Sequence, residues 1–341
     1  MRYKLLGNSG LRVAELALGT MTFGEDWGWG ASKEESRKIW DCYVKQGGNF
    51  IDTSVNYTNG TAESYVGDFA AGERDYFVLA TKFTLARRQG DPNAAGNHRK
   101  NMMNSVETSL RHLKSDYIDL LWLHAWDFTT SIEEVMRGLD DLVRQGKVLY
   151  VGISDSPAWV VSASNTLAEL RGWSRFAALQ VRYNLVDRSV ERDLLPMAKA
   201  FGLAVTPWSV LGAGTLTGKY NQAGSEPRRN SSASEAQLRL AETVMAVAGE
   251  VGHSPSQVAI NWVRQQTAKA PTIVPVLGAR SVAHIQDNLD CLTFELSLEH
   301  LQRLEAANPI DLGFPHEFLA SEGIRNIVFA GTYGLLDGRH P

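Results

Sequence analysis

Two cysteines among 341 residues, Cys42 and Cys291, are too few and too far apart for a disulfide framework or a zinc cluster, and both are expected to be buried free thiols. The eight histidines form no HExxH run and no close carboxylate–histidine group at metal-ligand spacing, so no metal site is expected. An excess of one charge is also lacking. Lys and Arg number 34 against 38 Asp and Glu, without long runs, which leaves no footprint for nucleic acid or a membrane surface. The opening stretch MRYKLLGNSGLRVAEL has charges in its first turns and no apolar core of about 7–15 residues, unlike a secretory signal. A cytoplasmic chain is expected, with 44% hydrophobic and 21% charged residues, enough for a large core and too polar for a membrane protein.

Nucleotide-binding fingerprints are missing as well. GAGTLTGKY, residues 212–220, has one residue too many for a phosphate-binding loop and places Tyr220 where a magnesium-binding hydroxyl would stand. The same glycines follow a late strand rather than the first strand of a dinucleotide-binding unit.

What the chain does have is eight short apolar runs: 15–20, 49–53, 76–82, 117–124, 148–154, 176–180, 202–208 and 271–278. Segments with helical spacing separate them. The clearest carries Ile132, Val135, Met136, Leu139, Leu142 and Val143 behind a Thr130 to Glu133 capping-box pattern, and another carries Met103, Val106, Leu110 and Leu113. Strands alternating with helices, with no break in composition, indicate α/β architecture: a single (β/α)8 TIM barrel over 15–306. Residues 1–14 read as an N-terminal β-hairpin around Gly-Asn-Ser-Gly, and 307–341 as a C-terminal tail. The polar stretch 218–236 reads as a long mobile loop after the seventh strand.

Four chemistry-bearing side chains lie at the carboxyl ends of successive runs: Asp52 and Tyr57 after the second, Lys82 ending the third, His124 ending the fourth. A barrel gathers those ends at one mouth. Singly, each has an ordinary explanation: a cap, loop packing, a surface ion pair, a satisfied imidazole. In FIDTSVNYTNGTAESYVG, ATKF and LLWLHAWD they resemble the Asp, Tyr, Lys and His tetrad of the aldo-keto reductases, and the resemblance runs from residue 2 to about 306. It implies NADPH-dependent reduction of an aldehyde or ketone, with Tyr57 as proton donor, Lys82 as the charge beside it, Asp52 holding Lys82, and His124 orienting the substrate. A phenol has a pKa of about 10, and lowering it by about two requires about 2.7 kcal/mol. One cation ~4 Å away at an effective dielectric near ~20 offers about 4 kcal/mol, so a lowered Tyr57 pKa is expected.

The resemblance also implies where the cofactor lies. Thr20 and Met21 follow the first strand. GISDSPAW and LQVRYNL place Ser154, Asp155 and Gln180 against the nicotinamide, with Asp155 standing where Asn is usual. TPWSVLGAGTLTGKY puts Trp208 on the nicotinamide ring and Ser209, Leu211, Gly212, Gly214, Thr215 and Lys219 near the pyrophosphate. VLGARSVAHIQDNL puts Gly278, Arg280, His284 or Gln286, and Asn288 at the adenosine end. Arg280 suits a phosphate dianion through its forked donors, favouring NADPH/NADP+ over NADH. Phe23, Trp27, Trp29 and Trp126 are expected to wall an apolar substrate pocket. The expected partner is a small-molecule carbonyl compound, with a homo-oligomer left open. The alternative is a cofactor-binding partner protein of the channel β-subunit type with little turnover, although no hydrophobic docking segment favours it.

Overall fold

Alternation with period two builds the barrel. In the computed structural model, which describes residues 1–221 and 233–337, the hairpin strands β1 (Tyr3–Leu5) and β2 (Arg12–Ala14) precede β3 (Ala17–Gly19), β4 (Phe50–Asp52), β5 (Val78–Phe83) and β6 (Ile118–Leu123). Then come β7 (Val148–Ser154), β8 (Phe176–Arg182), β9 (Ala204–Trp208), β10 (Thr272–Ile273) and β11 (Val276–Gly278). From β3 onward all pair in parallel, in the order β10-β9-β8-β7-β6-β5-β4-β3-β11. This is the expected (β/α)8 barrel.

Closure differs in one respect from the single eighth run read in the sequence. Thr272 and Ile273 pair with β9, whereas Val276 to Gly278 pair with β3. Pro275 sits at the changeover. It has no N–H to donate, but its carbonyl accepts from the Ala17 N–H at 2.9 Å, while Val274 N–H still donates to Val205 O. One strand thus changes neighbours at its proline and joins the two sides of the sheet.

Alternate residues along each strand face opposite ways. One set, including Ala17, Phe50, Val78, Ala80, Leu120, Trp122, Ala178, Ala204 and Val274, forms a core with Leu6, Val13 and Ala14 of the hairpin segment. The other, including Leu18, Ile51, Leu79, Leu121, Val151, Leu179 and Val205, packs in the layer beneath the helices. The hairpin approaches the strand backbones closely: a Cβ on Gly7, whose φ is +58°, would lie 2.4 Å from Ala177 O. Only glycine fits there without strain. Lys4 Nζ also donates to Ile273 O at 2.8 Å, fastening the hairpin to the eighth strand.

The surrounding helices are α1 (Lys33–Lys45), α2 (Thr61–Ala70), α3 (Arg99–Leu113), α4 (Ile132–Arg144), α5 (Ala158–Arg171) and α6 (Leu194–Phe201). Then follow α7 (Glu235–Val251), α8 (Pro255–Arg264), α9 (Val282–Leu289) and α10 (Leu298–Ala307). Serine begins many of them: Ser32, Ser131, Ser234, Ser254, Ser281 and Ser297 each accept a first-turn backbone N–H. The cap of α4 is therefore Ser131, one residue after the expected Thr130, whose hydroxyl instead donates to Asp127 Oδ2 at 2.8 Å. Both cysteines are free, but Cys42 is only half-buried.

The chain divides into two compact units, Met1–Asn308 and Pro309–Pro341. The second contains two short helices, α11 (His316–Ala320) and α12 (Glu322–Val328), and pairs Phe314 with Phe318 and Phe329 with Tyr333. Most of the loop expected at 218–236, residues 222–232, lies outside the described residues.

Trp122 fills the interior across Gly152, where an added Cβ would fall 2.4 Å from the indole ring. Gly152→Ala is therefore expected to destabilise the barrel by about 1–3 kcal/mol, as overpacking does, read as a lower urea midpoint with unchanged slope.

Candidate active site

The inward positions become polar towards the carboxyl ends of the strands. Asp52 ends β4, Lys82 is the fifth residue of β5, Ser154 ends β7, and Gln180 stands opposite Ser154 on β8. Lys82 is fully buried. Its ammonium donates to Asp52 Oδ2 at 2.5 Å and to Thr53 O at 2.8 Å, and it lies 4.9 Å from the centroid of the Tyr57 ring. Burial works against the charged form of Lys82, but the Asp52 and Tyr57 oxygens outweigh it and the pKa is raised.

Gln180 serves this cluster directly: its amide donates to Asp52 Oδ1 at 3.0 Å. One N–H of the amide is thus engaged by the carboxylate, while its second N–H and its oxygen remain. Thr20 is similarly turned inward, with its hydroxyl donating to Asp52 O at 3.1 Å.

Tyr57 opens a short 3-10 turn, Tyr57–Gly60, in which Thr58 and Asn59 take φ of 44° and 56°. A β-branched residue is strained in that region. Thr58 Oγ1 holds the turn by donating to Phe23 O at 2.7 Å and accepting from Ala62 N–H at 3.0 Å. The Tyr57 ring meets Trp27 at 6.4 Å and His124 at 6.0 Å, both edge to face. Its pKa is raised, first by burial and then by Asp52 and Asp155, with Lys82 opposing. The expectation of a lowered phenol pKa is thereby corrected. The Coulomb gain from Lys82 is present, but desolvation and two carboxylates outweigh it.

His124 follows β6. Its pKa is lowered well below 6.5 by burial and by the Lys82 charge, so the ring is neutral. Nδ1 stands 3.3 Å from Ser54 Oγ, which donates to Asn56 Oδ1 at 2.7 Å. The Ser54–Asn56 link was not anticipated; its only trace is that Ser54 and Asn56 flank Val55 within the stretch between Asp52 and Tyr57.

Around this cluster, Ser154 Oγ is buried without a hydrogen-bond partner. Trp208 Nε1 donates to Asp155 Oδ1 at 3.2 Å, and Arg182 lies 5.9 Å over the indole, so the tryptophan is held from two sides. Ser209, with φ of 57°, and Leu211 lead into the turn Gly212–Thr217. The Gly212 and Gly214 N–H groups donate within this segment to Ser209 O and Leu211 O, Thr215 is buried, and Lys219 crosses close over Gly214. Gly278, Arg280 and His284 are exposed and Asn288 is buried. Gln286 donates to Asp290 Oδ1 at 2.8 Å and accepts from Cys42 Sγ. Met21 is half-buried.

The four aromatic residues expected on the substrate side differ in burial. Phe23 is fully buried and packs edge-on to Phe69 at 6.3 Å, and Trp126 is buried in the layer beneath the helices. Neither is an open wall. Trp27 lies beside Tyr57, and Trp29 is 5.7 Å from Trp27.

A (β/α)8 barrel with a buried Asp–Lys pair, a tyrosine and a neutral histidine at the strand ends defines a class able to move a proton at a carbonyl or alcohol oxygen. The model of the Aldo/keto reductase family matches residues 15–309, and the chain belongs to that family. It is an oxidoreductase acting on carbonyl and alcohol groups. It is 39% identical over 325 residues to a norsolorinic acid reductase of Aspergillus flavus, covering 92% of this chain and 83% of that one. It is 38% identical over 361 residues to an NADP(+) aryl-alcohol dehydrogenase of Phanerodontia chrysosporium, covering 97% and 92%. An aldo-keto reductase of Emericella nidulans is 38% identical over 337 residues, covering 93% and 84%.

The lowered His124 pKa has a signed consequence. Below about pH 6.5 the unfolded chain takes up a proton at this residue that the folded chain resists, so its contribution to stability is complete above that pH and is lost as pH falls towards the folded value. The His124 imidazole signal should not titrate between about pH 6 and 8 by NMR, and His124→Gln should flatten the fall in urea midpoint on acidification. A titration near 6.5 would overturn the neutral-ring assignment.

Proposed function

We propose that this enzyme interconverts an aromatic aldehyde or ketone and its alcohol using NADP(H). The observation that carries the reading is the Lys82 ammonium, held by Asp52 Oδ2 at 2.5 Å and Thr53 O at 2.8 Å, beside the Tyr57 ring. The aromatic class is supported by Trp27 next to Tyr57, with Trp29 beside Trp27, and by the name of one relative, an NADP(+) aryl-alcohol dehydrogenase.

The residues present suit a nicotinamide dinucleotide. Ser154 Oγ is a buried hydroxyl lacking a partner, which a carboxamide would satisfy, and the Gln180 oxygen and Asp155 carboxylate are acceptors for its NH2. Trp208 presents an indole fixed by Asp155, and the exposed Arg280 offers forked donors to a 2'-phosphate. When bound, the cofactor supplies or accepts the hydride.

The chain's own residues handle the proton. With its pKa raised, Tyr57 arrives protonated at neutral pH and donates its phenolic proton to the carbonyl oxygen. Lys82 stabilises the phenolate left behind, and Asp52 keeps Lys82 charged and stationary. The neutral His124 ring stands edge-on to the Tyr57 ring at 6.0 Å and orients the substrate beside the phenol by contact. In the opposite direction the phenolate accepts the alcohol proton, so oxidation gains as pH rises.

The test follows NADPH consumption with aromatic and aliphatic carbonyl compounds. Tyr57→Phe is expected to remove nearly all reduction while leaving NADPH affinity within a few-fold; near wild-type turnover would sink the assignment. Arg280→Ala should weaken NADPH by about 2–3 kcal/mol, some 30-fold or more, and leave NADH nearly unchanged in calorimetry at low salt. Equal losses for both cofactors would remove the basis for the NADP(H) preference.

A further inference from the structure

A second polar cleft, about 450 Å3 in volume, lies between the segment that carries Tyr57, the loop after β5 and one face of α3. Its lining includes Arg87, Arg88, Lys100 and His112, together with the amides of Asn56 and Asn104. The charges there are not balanced. Arg88 pairs with Asp91, whose other oxygen accepts from Asn93 N–H at 2.9 Å, and His112 Nδ1 pairs with Glu63 at 2.9 Å. Among the described residues no carboxylate pairs with Arg87 or Lys100.

Arg87 is the unusual member. Its guanidinium is half-buried, its Nε is buried without a partner, and its one side-chain hydrogen bond is a long 3.4 Å contact from Nη2 to Asn101 Oδ1. Its pKa is lowered by burial and by the neighbouring positive charge of Arg88. Asp91, already paired with Arg88, acts on Arg87 only from beyond pairing distance, and a partly desolvated cation with no carboxylate in contact is unfavourable; an oxyanion accepting from two of its N–H groups would offset that cost. Lys100, at the edge of the same cleft, would add a second positive charge.

We propose that this cleft binds a small oxyanion, a carboxylate or phosphate, clasped by Arg87 and Lys100 beside the Tyr57 segment. The anion is either free in solution or carried as a substituent on the carbonyl compound, since both present the same oxygens to the guanidinium.

The first arm of the test does not depend on the proposed reaction. Inorganic phosphate is titrated calorimetrically into enzyme already saturated with NADP+, so that anion sites used by the cofactor are filled, at constant ionic strength set with chloride. Saturable binding is expected, weakened at least about 10-fold in Arg87→Ala and in Lys100→Ala; the latter changes an exposed side chain and leaves the fold intact. No saturable binding, or unchanged affinity in both variants, would overturn the proposal. The second arm rests on the carbonyl-reduction reading and compares 4-carboxybenzaldehyde with benzaldehyde. A KM rise of about 10-fold in Arg87→Ala for the charged aldehyde alone places the anion on the substrate. Unchanged KM for both, with phosphate binding lost, assigns the cleft to a separate ligand. An equal rise for both aldehydes would show that Arg87 shapes the loop instead, against the proposal.

Discussion

A fully buried ammonium is the constraint on which the rest of the site depends. Removing Lys82 from water costs several kcal/mol unless an opposite charge and hydrogen-bond acceptors meet it. Asp52 and Thr53 O do so, and this is possible only because β4 and β5 align Asp52 with Ala80, bringing Asp52 and Lys82 to one mouth. The second Asp52 oxygen is then held by Gln180 from β8. Three strands separated in sequence are thereby committed to one geometry by a single charge.

That charge also sets the neighbouring groups. It opposes the rise in the Tyr57 pKa and contributes to the fall in that of His124, while burial acts first on both. The result is one fixed cation flanked by a protonated phenol, able to donate to a substrate oxygen, and by a neutral imidazole beside it. Below them the interior is apolar and filled by Trp122 across Gly152, which keeps the polar layer on a rigid floor.

Much of this was legible in order along the chain. Short apolar runs marked the strands, and polar residues at their carboxyl ends marked the mouth, because a parallel barrel always gathers those ends. Errors arose where local pattern had competitors. Thr130 and Ser131 both suit a helix cap, and Asp127 takes the Thr130 hydroxyl. The 271–278 run looked continuous because apolar residues flank Pro275 on both sides, and only the pairing shows that it changes neighbours. Phe23 and Trp126 read as pocket walls from their place after strands; in the structure they are buried in the layer beneath the helices. Gln180 and Gln286 each have two ends, and their partners, Asp52 and Asp290, could not be chosen from residue type.

The sequence by itself determined the alternation of eight apolar runs with helices and which four polar residues stand at the ends of three of those runs, since these follow from periodicity and from which types stand where each run ends. Tertiary structure alone decided the electrostatics. The charge on Lys82 is visible in the sequence, but the desolvation that raises the Tyr57 pKa and lowers that of His124 comes from Trp27, the rings themselves and the barrel wall enclosing them. Arg87 is similar: that it has no carboxylate in contact depends on which acids the fold brings near it, and the nearby Asp91 is paired with Arg88. Burial and pairing are properties of neighbours distant in the chain, so they exist only once the chain has closed.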